Sequence, residues 1–363
     1  MNVCFLLGGF YSGGVGRVVS ILANTLINEP DLIVHAVALR PAEKTEIYSL
    51  DSKVKRGYLI TKKGSVKKIL FSASRELRKY IKENNINIVV ACGNVFYPIA
   101  LLAKVKKVKI ICWEHSNVYN TNDNDGQTIL RWLGAKLSSK IITLTECDKD
   151  GYRKKFNAKR IQRIYNPIDP QLYIESEEYN PKTKKIISVG RFCFQKHFEE
   201  IPEIAKKLNA ITQDWTWDIY GNGESFDDIH QKIEKYGLEN KVFLKGQVGN
   251  LYSLYKNYSM IVMTSRYEGF PMTLLEGAAN GLPMLSYDIL TGPNEIIDNG
   301  VNGYLIGEGD SEEMAKKIAS LLLNKDKSLE FSKESRKTAK KFDVNSIATE
   351  WYKMFKELNI TQR

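Results

Sequence analysis

The sequence is poor in cysteine and has no long apolar segment. Its five cysteines among 363 residues are scattered and include no C-x-x-C pair, which excludes a disulfide framework or a zinc knuckle and is typical of a reducing cytoplasm. Its apolar runs, such as 86–92 and 260–263, are far shorter than the ~20 residues of a membrane-spanning helix. The first nine residues have no basic cluster and lead into glycines, so we expect a buried first strand there rather than a signal peptide.

Acidic residues are almost missing from one stretch. The chain has 53 Lys and Arg against 42 Asp and Glu, a net charge of +11. Between Lys53 and Lys82 there are eleven Lys or Arg and one acid, Glu76, so this window holds most of the excess. Nucleic acid, an anionic membrane surface, a phosphorylated substrate or a simple solvated face would each account for it. Helix spacing predicts an amphipathic basic helix here, whose core-facing apolar residues are Val66, Ile69, Leu70, Ala73, Leu77, Tyr80 and Ile81.

Short apolar runs alternate with helix-length segments along the whole chain. The predicted strands are 2–7, 32–39, 57–60, 87–92, 109–112, 140–145 and 160–164, then 185–189, 216–220, 242–245, 260–264, 284–287 and 303–306. Ile- and Val-rich strands separated by helices are typical of parallel sheets buried on both faces. A polar stretch at 175–185 interrupts the alternation. We therefore predict an α/β protein with two doubly wound domains, 1–170 and 184–343, followed by a helix within 344–363. The ligand is expected at the carboxyl ends of the strands, between the domains.

Two glutamates, Glu268 and Glu276, follow a predicted buried strand. A helix is expected to begin near Pro271, and its first N–H groups, over 272–275, form an anion site. Eight residues of helix would separate the two carboxylates by roughly 12 Å, whereas glycosidase pairs need about 5–9.5 Å. We therefore expect each carboxylate to bind its own set of sugar hydroxyls, and two solvated glutamates remain the alternative.

Two other motifs partly match known cofactor or metal sites. The loop Gly13-Gly14-Val-Gly16 has part of a dinucleotide fingerprint, but Val19 occupies the position of the third glycine and no acid ends the second strand. A dehydrogenase is therefore disfavoured. Asp123-Asn-Asp125 has the D-x-D form of a metal site, but it lies in a polar segment, 120–127, with no apolar strand before it. We predict a surface loop there and no metal ligand.

Seven segments, in order, resemble the retaining glycosyltransferases of family 4. They are Ser12-Gly-Gly-Val-Gly-Arg17, Trp113-Glu-His-Ser116, Tyr165-Asn-Pro-Ile-Asp169, Val189-Gly-Arg-Phe-Cys-Phe-Gln-Lys196, Tyr220-Gly-Asn-Gly-Glu224, Leu244-Lys-Gly246 and the E-x7-E element Glu268–Glu276. The resemblance covers nearly the whole chain. It implies the GT-B fold, in which two Rossmann-like domains face each other across a cleft.

The resemblance also implies a role for individual residues. Glu276 is expected to hold the ribose hydroxyls of the nucleotide and Glu268 the hydroxyls of the transferred sugar. Arg191 and Lys196 are expected to bind the diphosphate, whose negative charge grows as the glycosidic bond breaks, and His115 to orient the sugar or acceptor. The expected catalytic residues are therefore His115, Arg191, Lys196 and Glu268. The other expected donor-binding residues are Gly13, Gly14, Gly16, Val248, Gly269, Phe270, Met272, Thr273 and Leu274.

The activity implied is retaining, metal-independent transfer of a hexose or N-acetylhexosamine from a nucleotide sugar, with UDP as the preferred nucleotide and no cofactor. The acceptor is a saccharide or lipid-linked saccharide in capsule or other surface-glycan synthesis. We expect a cytoplasmic enzyme that binds the inner face of the membrane through window 53–82, does not bind nucleic acid, and returns its last helix to the first domain.

Several alternatives remain open. A non-catalytic GT-B partner subunit, a sugar-nucleotide epimerase and a nucleic-acid-binding protein are the competing functions, and the last of these has no recognisable module in the sequence. Glu114 is an alternative to His115.

Overall fold

The structure, a computed structural model, describes residues 1–10, 13–41, 48–60, 66–120 and 125–360, with residues 66–68 described by their backbone alone. Its strands are β1 (Asn2–Leu7), β2 (Ile33–Ala38), β3 (Lys55–Tyr58), β4 (Ile88–Cys92), β5 (Lys109–Trp113), β6 (Lys140–Thr143), β7 (Ile161–Arg163), β8 (Lys185–Val189), β9 (Thr216–Tyr220), β10 (Val242–Gly246), β11 (Met260–Met263), β12 (Met284–Tyr287) and β13 (Gly303–Ile306).

Its α-helices are α1 (Gly14–Leu26), α2 (Val66–Glu83), α3 (Tyr97–Ala103), α4 (Asp125–Leu137), α5 (Glu146–Phe156), α6 (Gln171–Glu175), α7 (Ile201–Ile211), α8 (Phe226–Lys235), α9 (Met272–Ala279), α10 (Ser311–Leu323), α11 (Lys325–Lys340) and α12 (Val344–Ile360). Short 3-10 helices cover Asn94–Phe96, Phe198–Glu200, Tyr252–Asn257 and Pro293–Glu295.

The chain divides into two compact units. The first comprises Met1–Pro167 together with α12, and the second comprises Ile168–Asp343. The second unit thus begins at Ile168 rather than at residue 184. The reason is that the segment after Ile168 folds against the rest of that unit: the Ile168 N–H donates to the Phe342 carbonyl at 2.9 Å, and α6 packs against α9.

The first unit is built on a parallel sheet of seven strands in the order β3-β2-β1-β4-β5-β6-β7. In its register Val3 lies opposite Val34 of β2 and Ile88 of β4. The order reverses between β1 and β4, and ligands of such sheets bind at the carboxyl ends of the strands beside this reversal. The predicted edge strand 57–60 lies two residues earlier, where β3 pairs with β2.

The second unit has a parallel sheet of six strands in the order β10-β9-β8-β11-β12-β13. Its order reverses between β8 and β11, where Ile187 lies opposite Ile261. Apolar side chains from both strands and from the helices α7, α8 and α10 form one buried cluster. Within it the Trp217 indole N–H donates to the Ser188 hydroxyl at 3.0 Å. Two doubly wound units were predicted, and both are present.

Helix α2 is amphipathic, as its spacing predicts. Ala73, Leu77 and Ile81 are buried in the core of the first unit, and Leu70 and Tyr80 pack against the same core. The predicted apolar position Val66 lies outside the described side chains, as do the basic residues at 62–63 and 67–68 of the window. No helix in the described ranges is both long and apolar enough to cross a membrane.

The last helix, α12, belongs to the first unit and packs against α1. Trp351 is fully buried, with its ring centroid 4.6 Å from that of Trp113, and Phe355 packs on Phe5 at 6.4 Å. Tyr352 was predicted to belong to this apolar face but is half-buried, because its hydroxyl donates to the carboxylate of Asp31.

Candidate functional site

The second unit carries two predicted charged residues beside its strand-order reversal. Lys196 follows β8, Glu268 follows β11, and the Lys196 Nζ donates to the Glu268 Oε1 at 2.6 Å. The side chains are 16% and 8% exposed, so each charge offsets the cost of removing the other from water. Both residues were predicted from the sequence, but their pairing was not.

Glycines allow the loop after β8 to lie against the loop after β9. Gly221 has φ of +141°, and a Cβ there would come within 1.8 Å of the Gly190 carbonyl oxygen. A Cβ at Gly190 would lie 3.0 Å from the Lys196 Cε. Only glycine fits at position 221, and the Lys196 side chain runs directly over Gly190. The two glycines therefore set the position of the Lys196 ammonium.

Side chains that the sequence did not predict hold the Glu268 loop. The Thr291 hydroxyl donates to the Glu268 carbonyl at 2.6 Å, and the Gln195 amide donates to the Tyr267 carbonyl at 3.1 Å. The Thr264 hydroxyl donates to the Lys196 carbonyl at 2.9 Å. Gln195 lies in a recognised motif, but nothing in the sequence indicates contacts between residues about 70 positions apart.

Arg191, the other predicted diphosphate ligand, is exposed. It makes no hydrogen bond or ion pair with any residue in the described ranges. A guanidinium group with its five donors unused by the protein suits two-point binding of an oxyanion. Arg191 and Lys196 thus differ: one cation is solvated, and the other is neutralised by a buried carboxylate.

Glu276 lies on the second turn of α9 and is buried. The Tyr255 hydroxyl, from the 3-10 helix over 252–257, donates to the Glu276 Oε2 at 2.6 Å. A buried carboxylate needs such donors, since an unsatisfied one is costly. Tyr255 is therefore a site residue that the sequence did not reveal, because no local motif connects it to Glu276.

The start of α9 provides fewer open donors than we predicted. The helix begins at Met272, directly after Pro271, and the first N–H groups of a helix have no acceptor within it. The Leu274 N–H, however, donates to the Pro271 carbonyl at 3.1 Å, so this expected phosphate donor is already used. The reason is that the turn tightens at the helix start.

The other predicted donor-binding residues of this unit differ in accessibility. Leu274 and Phe270 are buried, and the Phe270 ring packs on that of Phe342 at 5.7 Å, so these two side chains serve the core. The half-buried members of the set are Val248, Gly269, Met272 and Thr273. Their contact with a donor stays a prediction.

In the first unit, the structure requires glycine at two of the three predicted glycine positions, for different reasons. Gly13 has φ of +89°, which favours glycine. A Cβ at Gly16 would lie 2.9 Å from the Gly9 carbonyl oxygen, so packing requires that glycine. Gly14 has neither constraint, because a Cβ there would meet no described atom within 4 Å. The role of the three glycines in donor binding stays a prediction. Ser12 of the same motif lies outside the described residues.

His115 follows β5 and packs its ring on Trp113, with the centroids 4.3 Å apart. Its Nε2 is buried and has no hydrogen-bond partner in the described part of the chain. Burial lowers the pKa of His115 to about 3, because the charged imidazolium loses solvation. The ring is therefore neutral near pH 7, and its contact with a substrate stays a prediction.

Glu114, the alternative to His115, has a structural role. The Arg131 Nε donates to the Glu114 Oε2 at 2.9 Å, and the Tyr152 hydroxyl donates to the same oxygen at 2.5 Å. The Ser116 hydroxyl donates to the Glu114 Oε1 at 2.6 Å and accepts from the Arg131 Nη2 at 2.9 Å. Glu114 and Arg131 are fully buried. This network closes the turn on both sides of His115 and so fixes the position of its ring.

A second buried acid, Asp148, holds the end of the same turn. The Val118 N–H donates to the Asp148 Oδ1 at 2.8 Å, and the Thr145 hydroxyl donates to its Oδ2 at 2.7 Å. Burial raises the pKa of Asp148 to about 7, against the opposite effect of these two hydrogen bonds. Asp148 therefore titrates in the physiological range, an effect of packing that the sequence did not reveal.

The D-x-D segment is only partly described. Asp123 lies outside the described residues, and Asp125 is the exposed first residue of α4, so the predicted loop over 120–127 ends earlier than expected. An acid at the start of a helix is stabilised by the helix dipole. Within the described ranges, no three His, Cys, Asp or Glu side chains come together as a metal site would require.

Known relatives match nearly the whole chain. An uncharacterized glycosyltransferase from Haemophilus influenzae is 26% identical over 354 residues, covering 96% of this chain and 97% of the relative. The amylovoran biosynthesis glycosyltransferase AmsD from Erwinia amylovora is 28% identical over 349 residues, covering 94% and 95%.

The similarity extends to solved structures. A mutant of S. aureus TarM in complex with UDP, α-GlcNAc-glycerol and fondaparinux superposes with a TM-score of 0.84 at 16% identity, covering 98% of this chain and 100% of that one. At this identity the likeness concerns the fold, and it confirms the predicted GT-B class.

Two family models match successive halves of the sequence. The model for glycosyltransferase family 4 matches residues 12–172, and the model for glycosyl transferases group 1 matches residues 171–338. Together they cover both units and most of the residues discussed above, and the chain belongs to the family 4 glycosyltransferases.

Proposed function

We propose that this protein is a retaining, metal-independent glycosyltransferase that moves a hexose or N-acetylhexosamine from a UDP-sugar to a growing surface glycan. The observation that carries the proposal is the arrangement after β8. There Arg191, which has no partner among the described residues, shares one short loop with Lys196, which is bound to Glu268. The loop after β8 thus offers two cations to a diphosphate, and the loop after β11 offers the Glu268 carboxylate to the neighbouring sugar.

Leaving-group stabilisation is the main catalytic contribution in this proposal. When the bond between the anomeric carbon and the phosphate oxygen breaks, negative charge grows on the diphosphate. Arg191, Lys196 and the helix dipole at Met272 stabilise that charge without a metal ion. A fixed donor of this kind is worth about 10²–10³ in rate.

The anomeric configuration is retained if the new bond to the acceptor forms on the same face of the sugar on which the bond to the phosphate breaks. The acceptor hydroxyl oxygen bonds to the anomeric carbon on the side from which the phosphate oxygen departs, and the acceptor proton passes to that oxygen. No protein base is needed. His115 stays neutral at pH 7 because burial lowers its pKa. It orients the sugar or acceptor through its Nε2, which has no hydrogen-bond partner within the described ranges.

The relatives support this choice of donor and acceptor. AmsD is named for amylovoran biosynthesis, and the TarM structure holds UDP together with an α-GlcNAc-glycerol. We therefore place the activity in capsule or other cell-surface glycan synthesis, with UDP as the donor nucleotide. The acceptor is a saccharide, free or lipid-linked.

The described part of the basic window supports a peripheral location on an anionic membrane. Arg75, Arg78, Lys79 and Lys82 are exposed on α2, and each cation near such a surface contributes about 1 kcal/mol. We propose that the enzyme binds the inner face of the cell membrane there.

The test is turnover with a panel of UDP-, GDP- and ADP-sugars, with the product anomer assigned by NMR. We expect one UDP-sugar to be consumed with retention, at an unchanged rate in EDTA. The Arg191→Ala variant should bind UDP weakly, whereas Lys333→Ala, which removes an exposed cation of α11, should not. Loss of turnover in EDTA with recovery in Mn²⁺ would contradict metal independence. Epimerised donor without transfer would identify an epimerase, and failure of any nucleotide diphosphate to bind would exclude the proposal.

A further inference from the structure

The outward face of α2 carries an aromatic side chain among its cations. Phe71 is 68% exposed, and Arg75, Arg78 and Lys82 follow it at i+4, i+7 and i+11, so the four residues share one side of the helix. A single exposed aromatic ring is ordinary, but a contiguous group of exposed apolar side chains marks a contact surface.

Neighbouring helices continue this surface. On α4, Ile129 and Trp132 are 56% and 48% exposed and share one side with Lys136. Helix α3 packs against both α2 and α4 and exposes Leu102. The Arg78 Nη2 donates to the Leu102 carbonyl at 2.6 Å, which ties α2 to α3. We call these exposed side chains of the three helices the α2–α4 face.

We propose that the α2–α4 face inserts its apolar side chains into the interface of an anionic lipid bilayer, while its lysines and arginines contact the lipid phosphates. This inference rests on the proposed membrane location and deepens it from electrostatic contact to insertion. Helices with an apolar ridge flanked by Lys and Arg bind membranes in this way. Tryptophan prefers the region where hydrocarbon meets the headgroups.

The charge of the face favours a lipid surface over a second copy of this chain. The acids of α2 are offset by its own cations: Arg75 pairs with Glu76 at 3.5 Å and Lys79 with Glu83 at 3.8 Å. Arg78, Lys82 and the exposed cations that follow α3 at 104 and 106 remain in excess. A twofold contact would set this positive face against itself, whereas phosphatidylglycerol headgroups would neutralise it.

The chain contains its own reporter for the test. All five tryptophans lie in the described ranges, and Trp132 is the exposed one, since the buried ones are Trp113, Trp215, Trp217 and Trp351. Tryptophan emission of the full chain should therefore shift to shorter wavelength when vesicles of phosphatidylglycerol and phosphatidylcholine are added. Brominated lipids should quench it. Pure phosphatidylcholine vesicles should produce little of either effect, and the Trp132→Phe variant should bind the anionic vesicles without the shift.

Variants separate insertion from charge attraction. Phe71→Ser with Ile129→Ser should weaken flotation with anionic vesicles about tenfold or more and abolish the binding that survives in 0.5 M salt. Arg75→Glu with Lys82→Glu should weaken binding mainly at low salt, about fivefold or more for each residue. Leu323→Ser changes a comparably exposed leucine of the second unit and should have no effect.

Three outcomes would overturn the inference. Binding without an emission shift, removed entirely by salt, would leave only electrostatic attachment. A shift that depends on protein concentration and needs no lipid would identify a second copy of the chain as the occupant. Absence of vesicle binding would exclude both insertion and the proposed membrane location, while donor binding to Arg191 and Lys196, measured separately, would still decide the proposed chemistry.

Discussion

Lys196 and Glu268 lie 72 positions apart in sequence, yet the lysine ammonium donates to the carboxylate at 2.6 Å. The resemblance to family 4 implies that these side chains bind different parts of the donor, Lys196 the diphosphate and Glu268 the sugar. On the proposed function, a diphosphate that binds Lys196 has to compete with Glu268 for the same ammonium group.

This competition predicts opposite effects on binding and turnover for Glu268→Gln. Loss of the negative charge should strengthen UDP binding several-fold, because Lys196 is released and a repulsive charge is removed. Turnover should fall about 10²–10³-fold, since a fixed contact to the reacting sugar is weakened. Calorimetry with UDP and steady-state rates measure the two effects, with Glu330→Gln, an exposed acid of α11, as the control. Weaker UDP binding by the variant would contradict the competition.

Arg191 and Lys196 should differ in their effect on stability. Arg191→Ala should change the free energy of unfolding by no more than about 0.5 kcal/mol, because the side chain is exposed. Lys196→Ala should cost about 3 kcal/mol, because it leaves a buried carboxylate without its cation. Urea unfolding at pH 7 measures both values. Equal values for the two variants would show that the ion pair contributes nothing to the fold.

Tyr255→Phe tests the residue that the motif did not reveal. Removing the hydroxyl takes a donor from the buried Glu276 carboxylate, and we expect UDP to bind about tenfold more weakly. Tyr304→Phe changes another tyrosine of the same unit, on β13, and should bind UDP normally. Unchanged affinity of the Tyr255 variant would show that this hydrogen bond does not prepare Glu276 for the ribose.

Asp148 should make the protein less stable as the pH rises. Its pKa is about 7 in the folded chain, against 3.8 as its ordinary value, so the folded state holds the proton over that interval and the unfolded state does not. The resulting stability is complete below pH 4 and is lost as the pH rises through 7. Relative to Asp148→Asn, the unmodified protein should lose about 2 kcal/mol between pH 5 and 7. Urea unfolding of both proteins at pH 5 and 7 measures the difference. An equal change in the free energy of unfolding for the two proteins would contradict the raised pKa of Asp148.

His115 should make the protein less stable as the pH falls, the opposite of the effect of Asp148. Burial holds its folded pKa at about 3, below the ordinary 6.5, so only the unfolded chain takes up the proton between these values. The stability is present above pH 6.5 and is lost as the pH falls toward 3. Relative to His115→Asn, the unmodified protein should lose about 2 kcal/mol from pH 7 to 5. If the free energy of unfolding of His115→Asn falls as steeply from pH 7 to 5 as that of the unmodified protein, the histidine is already protonated in the folded chain.

Local patterns were sufficient for much of the fold. The apolar runs predicted the strands of both sheets to within two or three residues, and the i, i+3, i+4 spacing identified the buried side of α2 around Leu77. The boundary at Ile168 could not be predicted. Residues 175–185 look like a linker by composition, and only tertiary contacts, such as that of Arg336 on α11 with the Glu177 carbonyl, assign them to the second unit.

For the candidate site, too, some features could be predicted from the sequence and others only from the tertiary structure. Residue type and spacing determined that Arg191, Lys196, Glu268 and Glu276 would follow parallel strands, because the strand and helix periods are local properties of the chain. The tertiary structure decided that Lys196 is paired, whereas Arg191 has no partner in the part of the chain that is described. It also decided that Tyr255 reaches Glu276, and that burial shifts the pKa values of Asp148 and His115 in opposite directions. Such contacts depend on which strands become neighbours and on how much water their packing removes, and no stretch of sequence contains either quantity.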